Sequence, residues 1–122
     1  MAQNNKNKGD WGEKLALEFL KEKGYTILEA NWRIQKLEID IIAQIDNILV
    51  FVEVKTRFNE DHGDPEDSVT LKKQRFLIRA ANYYILEKDL DFESRFDIVT
   101  VLTENNKTIV KHLPAAFYPI VK

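Results

Sequence analysis

The stretch Leu37-Glu38-Ile39-Asp40-Ile41-Ile42-Ala43-Gln44-Ile45-Asp46-Asn47-Ile48-Leu49-Val50-Phe51-Val52-Glu53-Val54-Lys55 decides how this chain folds. Two apolar runs, rich in isoleucine and valine, flank the polar pair Asp46-Asn47. β-branched side chains suit extended backbone, and Asx residues tolerate the positive φ angles of tight hairpin turns. A two-residue turn here sets the register. Ile45 then pairs with Ile48, Asp40 lies opposite Glu53, and Glu38 lies opposite Lys55. Paired residues share a face, as do residues two apart along a strand. One face of the hairpin carries Ile39, Ile41, Ala43 and Ile45 against Val54, Val52, Val50 and Ile48, so it must be packed. The other begins with Gln44, Ile42, Leu49 and Phe51 and ends in Asp40, Glu38, Glu53 and Lys55.

That charged end sets up the chemistry. Carboxylates directly across a strand pair repel, and burial makes two ionised groups costlier still. A divalent cation removes the penalty, and Mg²⁺ suits one or two carboxylates supplemented by water and phosphate oxygens. The plainer reading is a solvated strand end with a Glu38–Lys55 ion pair. Evenly mixed surface charge would, however, avoid the Asp40–Glu53 apposition.

Working outward, residues 1–9 are polar and read as a flexible tail, and residues 10–122 read as one domain. Asp10 has the look of a helix N-cap, with Glu13 three residues on as in a capping box. Trp11, Leu15, Ala16, Phe19 and Leu20 recur at helical spacing, and Gly24 ends the helix, predicted over Asp10–Lys23. A strand follows over Tyr25–Ile34, with Leu28, Ala30, Trp32 and Ile34 on one face. Beyond the hairpin, Arg57–Glu66 lacks periodicity and contains Gly63 and Pro65, so it reads as a loop. From about Pro65 to Glu87, the spacing of Val69, Lys73, Phe76, Leu77, Ala80, Ala81 and Tyr84 predicts a second helix. Strands over Phe96–Leu102 and Thr108–Leu113 join at Asn105-Asn106. Helix, three strands, helix, two strands is the order of a single-domain α/β fold, a mixed sheet of about five strands flanked by helices.

Composition narrows the function classes. A length of 122 residues fits one core. With no cysteine, a disulfide framework, a cysteine zinc site and a thiol nucleophile are all excluded. His62 and His112 are far apart in sequence, so any metal must be held mainly by oxygen. The formal net charge of -2 excludes a uniformly basic nucleic-acid binder, though not a local basic stripe. No apolar run approaches the ~20 residues of a membrane span, and Met1–Gly9 lacks the apolar stretch of a secretory signal. No membrane partner and a cytoplasmic location are expected.

Glu38-Ile39-Asp40, followed by Glu53-Val54-Lys55, resembles the D-x(n)-E-x-K core of the PD-(D/E)XK nuclease superfamily. Gly9, Gly12-Glu13, Gly24-Tyr25, Asn31-Trp32-Arg33, Phe51–Arg57, Lys73-Gln74-Arg75 and Arg95-Phe96-Asp97 extend the match to most of the chain. As an ordered set they resemble the YraN-like family of small bacterial proteins, which is similar in fold to Holliday-junction resolvases. Two positions depart from the pattern: Ile39 replaces the proline of the superfamily name, and Leu37 stands where the family usually has glycine. That glycine bears on how closely a substrate backbone approaches.

The resemblance implies a restriction-endonuclease-like fold and a Mg²⁺- or Mn²⁺-dependent endonuclease acting on DNA rather than RNA, on branched or damaged structures. Homodimers are implied as well. Asp40 and Glu53 would hold the ion, with the Val54 carbonyl as a further ligand. Lys55 would orient or deprotonate the attacking water, and Glu13 would approach the metal from the first helix, unless it only caps that helix. Arg57, Lys73 and Gln74 would reach phosphates, with Lys72, Arg75 and Arg79 completing a basic helix face that is otherwise simply solvated. Trp11 and Trp32 sit at apolar positions and read as core, and His62 as a loop bystander. Two other classes share this fold: a nucleic-acid-binding module that does not cleave, and a structural or regulatory partner protein.

Overall fold

A computed structural model of the chain describes residues 5–58 and 69–118, with side chains from Gly9 onward. Its elements are helix α1 (Asn5–Glu22), strands β1 (Thr26–Ile34), β2 (Leu37–Ile45) and β3 (Ile48–Phe58), helix α2 (Leu71–Lys88), and strands β4 (Glu93–Glu104) and β5 (Lys107–Phe117). The five strands form one mixed sheet in the order β1-β2-β3-β4-β5. All neighbours are antiparallel except β3 and β4, whose parallel pairing needs a crossover that α2 supplies. This is the single-domain α/β architecture with a five-stranded mixed sheet that the sequence predicts.

Each helix covers one face of the sheet. Ala16 and Leu20 of α1 pack on Ile41, Ala43, Val50, Val52 and Val99. Leu77, Ala80, Ala81 and Tyr84 of α2 pack on Ile42, Leu49, Phe51, Phe96 and Ile98. Strands buried on both faces read as continuous apolar runs, hence the unbroken stretch through Leu49–Val52. Trp32 joins the α2-side core, edge-on to Tyr84 at 5.2 Å. Trp11, read as core, instead stacks on Phe58 at 5.8 Å and remains 36% exposed.

Both helix starts differ from expectation. The first helix begins at Asn5, so Asp10 lies within it and is not its N-cap. Nothing between Asn5 and Lys8 breaks a helix, and Gly9 inside one costs only about 1 kcal/mol. The second begins at Leu71, where extended Thr70 caps it by accepting a hydrogen bond from Lys73 N. Val69 and Thr70 precede that helix, while Pro65–Ser68 lie outside the described residues, as do His62 and the rest of the expected loop from residue 59. Arg57 and Phe58, expected to open that loop, continue β3. On β1 a register shift between Ile27 and Glu29 leaves Leu28 and Trp32 facing the α2-side core but Ala30 exposed, against the predicted alternation.

A buried polar network ties β4 to β5 and to the residue preceding β1. Asp97 is fully buried, with Oδ2 2.7 Å from His112 Nε2 and both carboxylate oxygens bonded by Arg95. Ala115 N donates to Oδ1 at 3.0 Å, across the register shift between β4 and β5, and Arg95 also donates to the Tyr25 hydroxyl. Burial alone would raise the Asp97 pKa. The bonds from His112, Arg95 and Ala115 outweigh it and hold the carboxyl below the usual range.

Candidate active site at the fork between the second and third strands

The Asp46-Asn47 turn forms as read, with Asp46 at φ 50° and Ile45 paired to Ile48. The predicted register then holds through Ile41–Val52 and stops. Asp40 is not a ladder partner of Glu53. The strands part there, and Asp40 Oδ2 accepts a hydrogen bond from Val54 N at 2.8 Å. Ile39, expected beside Ile41, packs in the α2-side core instead. The cause lies on β1, where Asn31, between the paired positions Ala30 and Trp32, has left-handed backbone at φ 54°. Side-chain alternation slips by one residue across from it, which re-aims Asp40.

The fork gathers side chains from both helices and from β1, β2 and β3. Glu53, only 5% exposed, lies within hydrogen-bonding reach of Asp40. Burial, then hydrogen bonding to Glu53 and the Glu53 charge, push the Asp40 carboxyl up to about 9. Lys55 Nζ stands 3.8 Å from Glu53 Oε2, and Lys73 Nζ reaches the same oxygen from α2 at 3.6 Å. From the other helix, Glu13 hydrogen-bonds to the Asn31 side chain and to Asp40. Burial raises its pKa, the Asn31 bond offsets part of that, and the Glu38 charge adds to it. The next residue back, Gly12, makes this approach feasible: a Cβ there would sit 2.0 Å from Thr56 Oγ1.

Glu13, Asp40, Glu53, Lys55 and the Val54 backbone are therefore brought together. Glu38 does not pair with Lys55, because Arg33 takes it. Arg57 turns back onto the Thr56 carbonyl, and the Gln74 amide donates to Val69 O, so neither reaches the fork. Two residues there escaped sequence reasoning. Asn31 was legible only as part of a matched block. Thr100, the parallel register partner of Lys55 on β4, is buried, and its hydroxyl has no hydrogen-bond partner among the described residues. Such a group costs about 1–3 kcal/mol unless something satisfies it.

The donor set bears on the cation. Among the described residues no three Asp, Glu or His side chains form a ready metal cage. Two carboxyl groups beside the Val54 backbone fit a hard cation that keeps most of its waters, as Mg²⁺ does, and are too few for an all-protein site. No helix among the described residues is long and apolar enough to cross a membrane.

A five-stranded mixed sheet between two helices, with Asp40, Glu53, Lys55 and Lys73 gathered at one fork, defines a small α/β domain. Residues 12–101 match the model of the uncharacterised protein family UPF0102, and the chain belongs to that family. It is 52% identical over 118 residues to a UPF0102 protein of Flavobacterium psychrophilum, covering 97% of this chain and 98% of that one. It is 42% identical over 119 residues to one from Phocaeicola vulgatus, covering 98% of each chain. A Clostridioides difficile relative is 44% identical over 115 residues, covering 93% of this chain and 99% of its own.

Proposed function

We propose that the protein is a metal-dependent endonuclease of the PD-(D/E)XK superfamily that hydrolyses phosphodiesters in DNA, including branched or damaged structures. The observation that carries this reading is the Asp40–Glu53 acid pair at the fork, with Lys55 and Lys73 both on Glu53. A purely stabilising network would set an ammonium between the two acids, whereas both ammoniums here lie on Glu53 and none on Asp40. Asp40 and Glu53 would hold Mg²⁺ or Mn²⁺, with the Val54 carbonyl as a further ligand. What the cation supplies is Lewis-acid neutralisation of phosphate charge.

The chain's own residues do the rest. The Lys55 ammonium, fixed beside Glu53, orients the attacking water and offsets the negative charge that develops on the phosphoryl oxygens. Lys73 adds a second positive charge from α2. Glu13, itself bonded to Asn31, holds Asp40 in place from the α1 side, and Val54 N–H fixes one of its oxygens.

The test is incubation of the purified protein with labelled linear, flapped and four-way DNA in Mg²⁺, Mn²⁺ or EDTA. Cleavage is expected with either metal and not in EDTA. Lys55→Ala should lower the rate at least about a hundredfold while leaving the circular dichroism spectrum unchanged. No cleavage of any substrate with either metal would overturn the reading in favour of a binding module. A wild-type rate for Lys55→Ala would reduce Lys55 to an ion-pair partner.

A further inference from the structure

The outward side of α2 carries a feature that the carboxylate centre does not use. Leu71, Arg75, Ile78, Arg79 and Asn82, with Tyr118 beyond β5, line a groove of about 580 Å³. None of its lining residues is acidic, and α2 has no carboxylate before Glu87. Arg75 and Arg79 are exposed and one helical turn apart. Among the described residues neither guanidinium has an ion-pair or hydrogen-bond partner.

Charge and shape together select an occupant. Paired guanidinium forks with no counter-ion match phosphate oxygens, which they bind in bidentate fashion. Phosphate alone has no use for the apolar part of the groove, where Tyr118 is 70% and Leu71 58% exposed. A nucleobase does, because it stacks on aromatic rings whatever its identity. A duplex hides its base faces in the stack and offers mainly backbone, so the combination favours an unpaired strand. The volume lies within the roughly 300–1,000 Å³ of small-ligand sites, enough for a nucleotide. Gln74 also lines the groove, and its helix α2 is the one that sends Lys73 to Glu53.

We infer that this groove binds an unpaired segment of a DNA strand, its phosphates on Arg75 and Arg79 and a base against Tyr118. The inference rests on the nucleic-acid part of the function proposed above and does not require cleavage. The measurement is fluorescence anisotropy of a labelled oligothymidylate, and of a blunt duplex, with the full chain in EDTA. The wild type should bind the single strand at least about tenfold more tightly than the duplex. Arg75→Ala/Arg79→Ala should weaken single-strand binding at least about tenfold and flatten its salt dependence by about 0.7 log units per lost phosphate contact. Tyr118→Ala should weaken it by about tenfold, and Tyr118→Phe should restore it.

All three side chains are exposed, so unchanged circular dichroism is expected and is checked. Wild-type single-strand binding by the double variant or by Tyr118→Ala would overturn the inference. So would a preference for the duplex, or no binding by the wild type. A wild type that binds the single strand but cleaves no substrate with either metal counts against the nuclease reading alone.

Discussion

Asp40 and Asp97 occupy one sheet, the first half-buried and the second fully buried, and their surroundings treat them in opposite ways. Asp97 receives bonds from a guanidinium, an imidazole and a backbone N–H, and its pKa falls. Asp40 receives one backbone N–H and otherwise faces Glu53 and Glu13, and its pKa rises. The first arrangement serves the fold: a fully satisfied charge that locks a register shift between β4 and β5. The second is a local conflict maintained by the rest of the structure, and such conflicts collect where chemistry is done.

The largest effect should come from breaking the satisfied site. Asp97→Ala leaves Arg95 and His112 without their buried counter-ion and should cost about 3–5 kcal/mol in urea unfolding. The pH dependence carries the same contrast. Asp97 has a folded pKa below its unfolded value of about 3.9. Its stabilisation is present above that pH and is lost as pH falls through the folded value, a loss absent in Asp97→Asn. Asp40 has the reverse sign. Between about pH 4 and about 9 the native chain holds a proton that the unfolded chain has released. Stability relative to Asp40→Asn should therefore decline as pH rises through that window. Parallel profiles for the two asparagine variants would erase the distinction.

Gly12→Ala should come next, costing about 1–3 kcal/mol because its Cβ would collide with Thr56. Thermal unfolding reads the loss, and cleavage should fall further than in variants of equal stability, since Glu13 moves with the helix. Asp40→Asn is smaller and opposite in direction, a gain of about 1 kcal/mol in metal-free buffer as the acid pair is relieved. Smallest is Lys73→Ala, within about 0.5 kcal/mol because the side chain is half in solvent, but with cleavage reduced. A large stability loss there would move Lys73 from the chemistry to the fold.

The sequence carried the hairpin well because a two-residue Asx turn and two apolar runs allow few registers. Strand pairing followed as far as Val52. What failed beyond it was the assumption of unbroken pleating, since the left-handed residue that re-aims Asp40 sits on another strand. Glu13 and Asp40 did meet, and Glu53 and Lys55 were placed by the alternation of β3. Lys73 was legible as a cation but its target was not, because a helix-to-strand contact is set by packing across the crossover. The Asp97 network joins residues from 25 to 115, too dispersed for any spacing rule. Both helix starts were misplaced for a local reason: capping residues mark a start only where the preceding backbone leaves the helix, as it does at Thr70 and not at Asp10.

The most direct measurement of whether the fork is a cation-dependent centre is the melting temperature of wild type and Asp40→Asn at pH 7, each in EDTA and in Mn²⁺. In EDTA the Asp40→Asn variant should melt higher, the relief of about 1 kcal/mol corresponding to a few degrees. In Mn²⁺ the wild type should rise to meet or pass it, while the variant stays where it was. Melting temperatures that ignore Mn²⁺ in both proteins, with Asp40→Asn no more stable than wild type, would contradict that role for the Asp40–Glu53 pair.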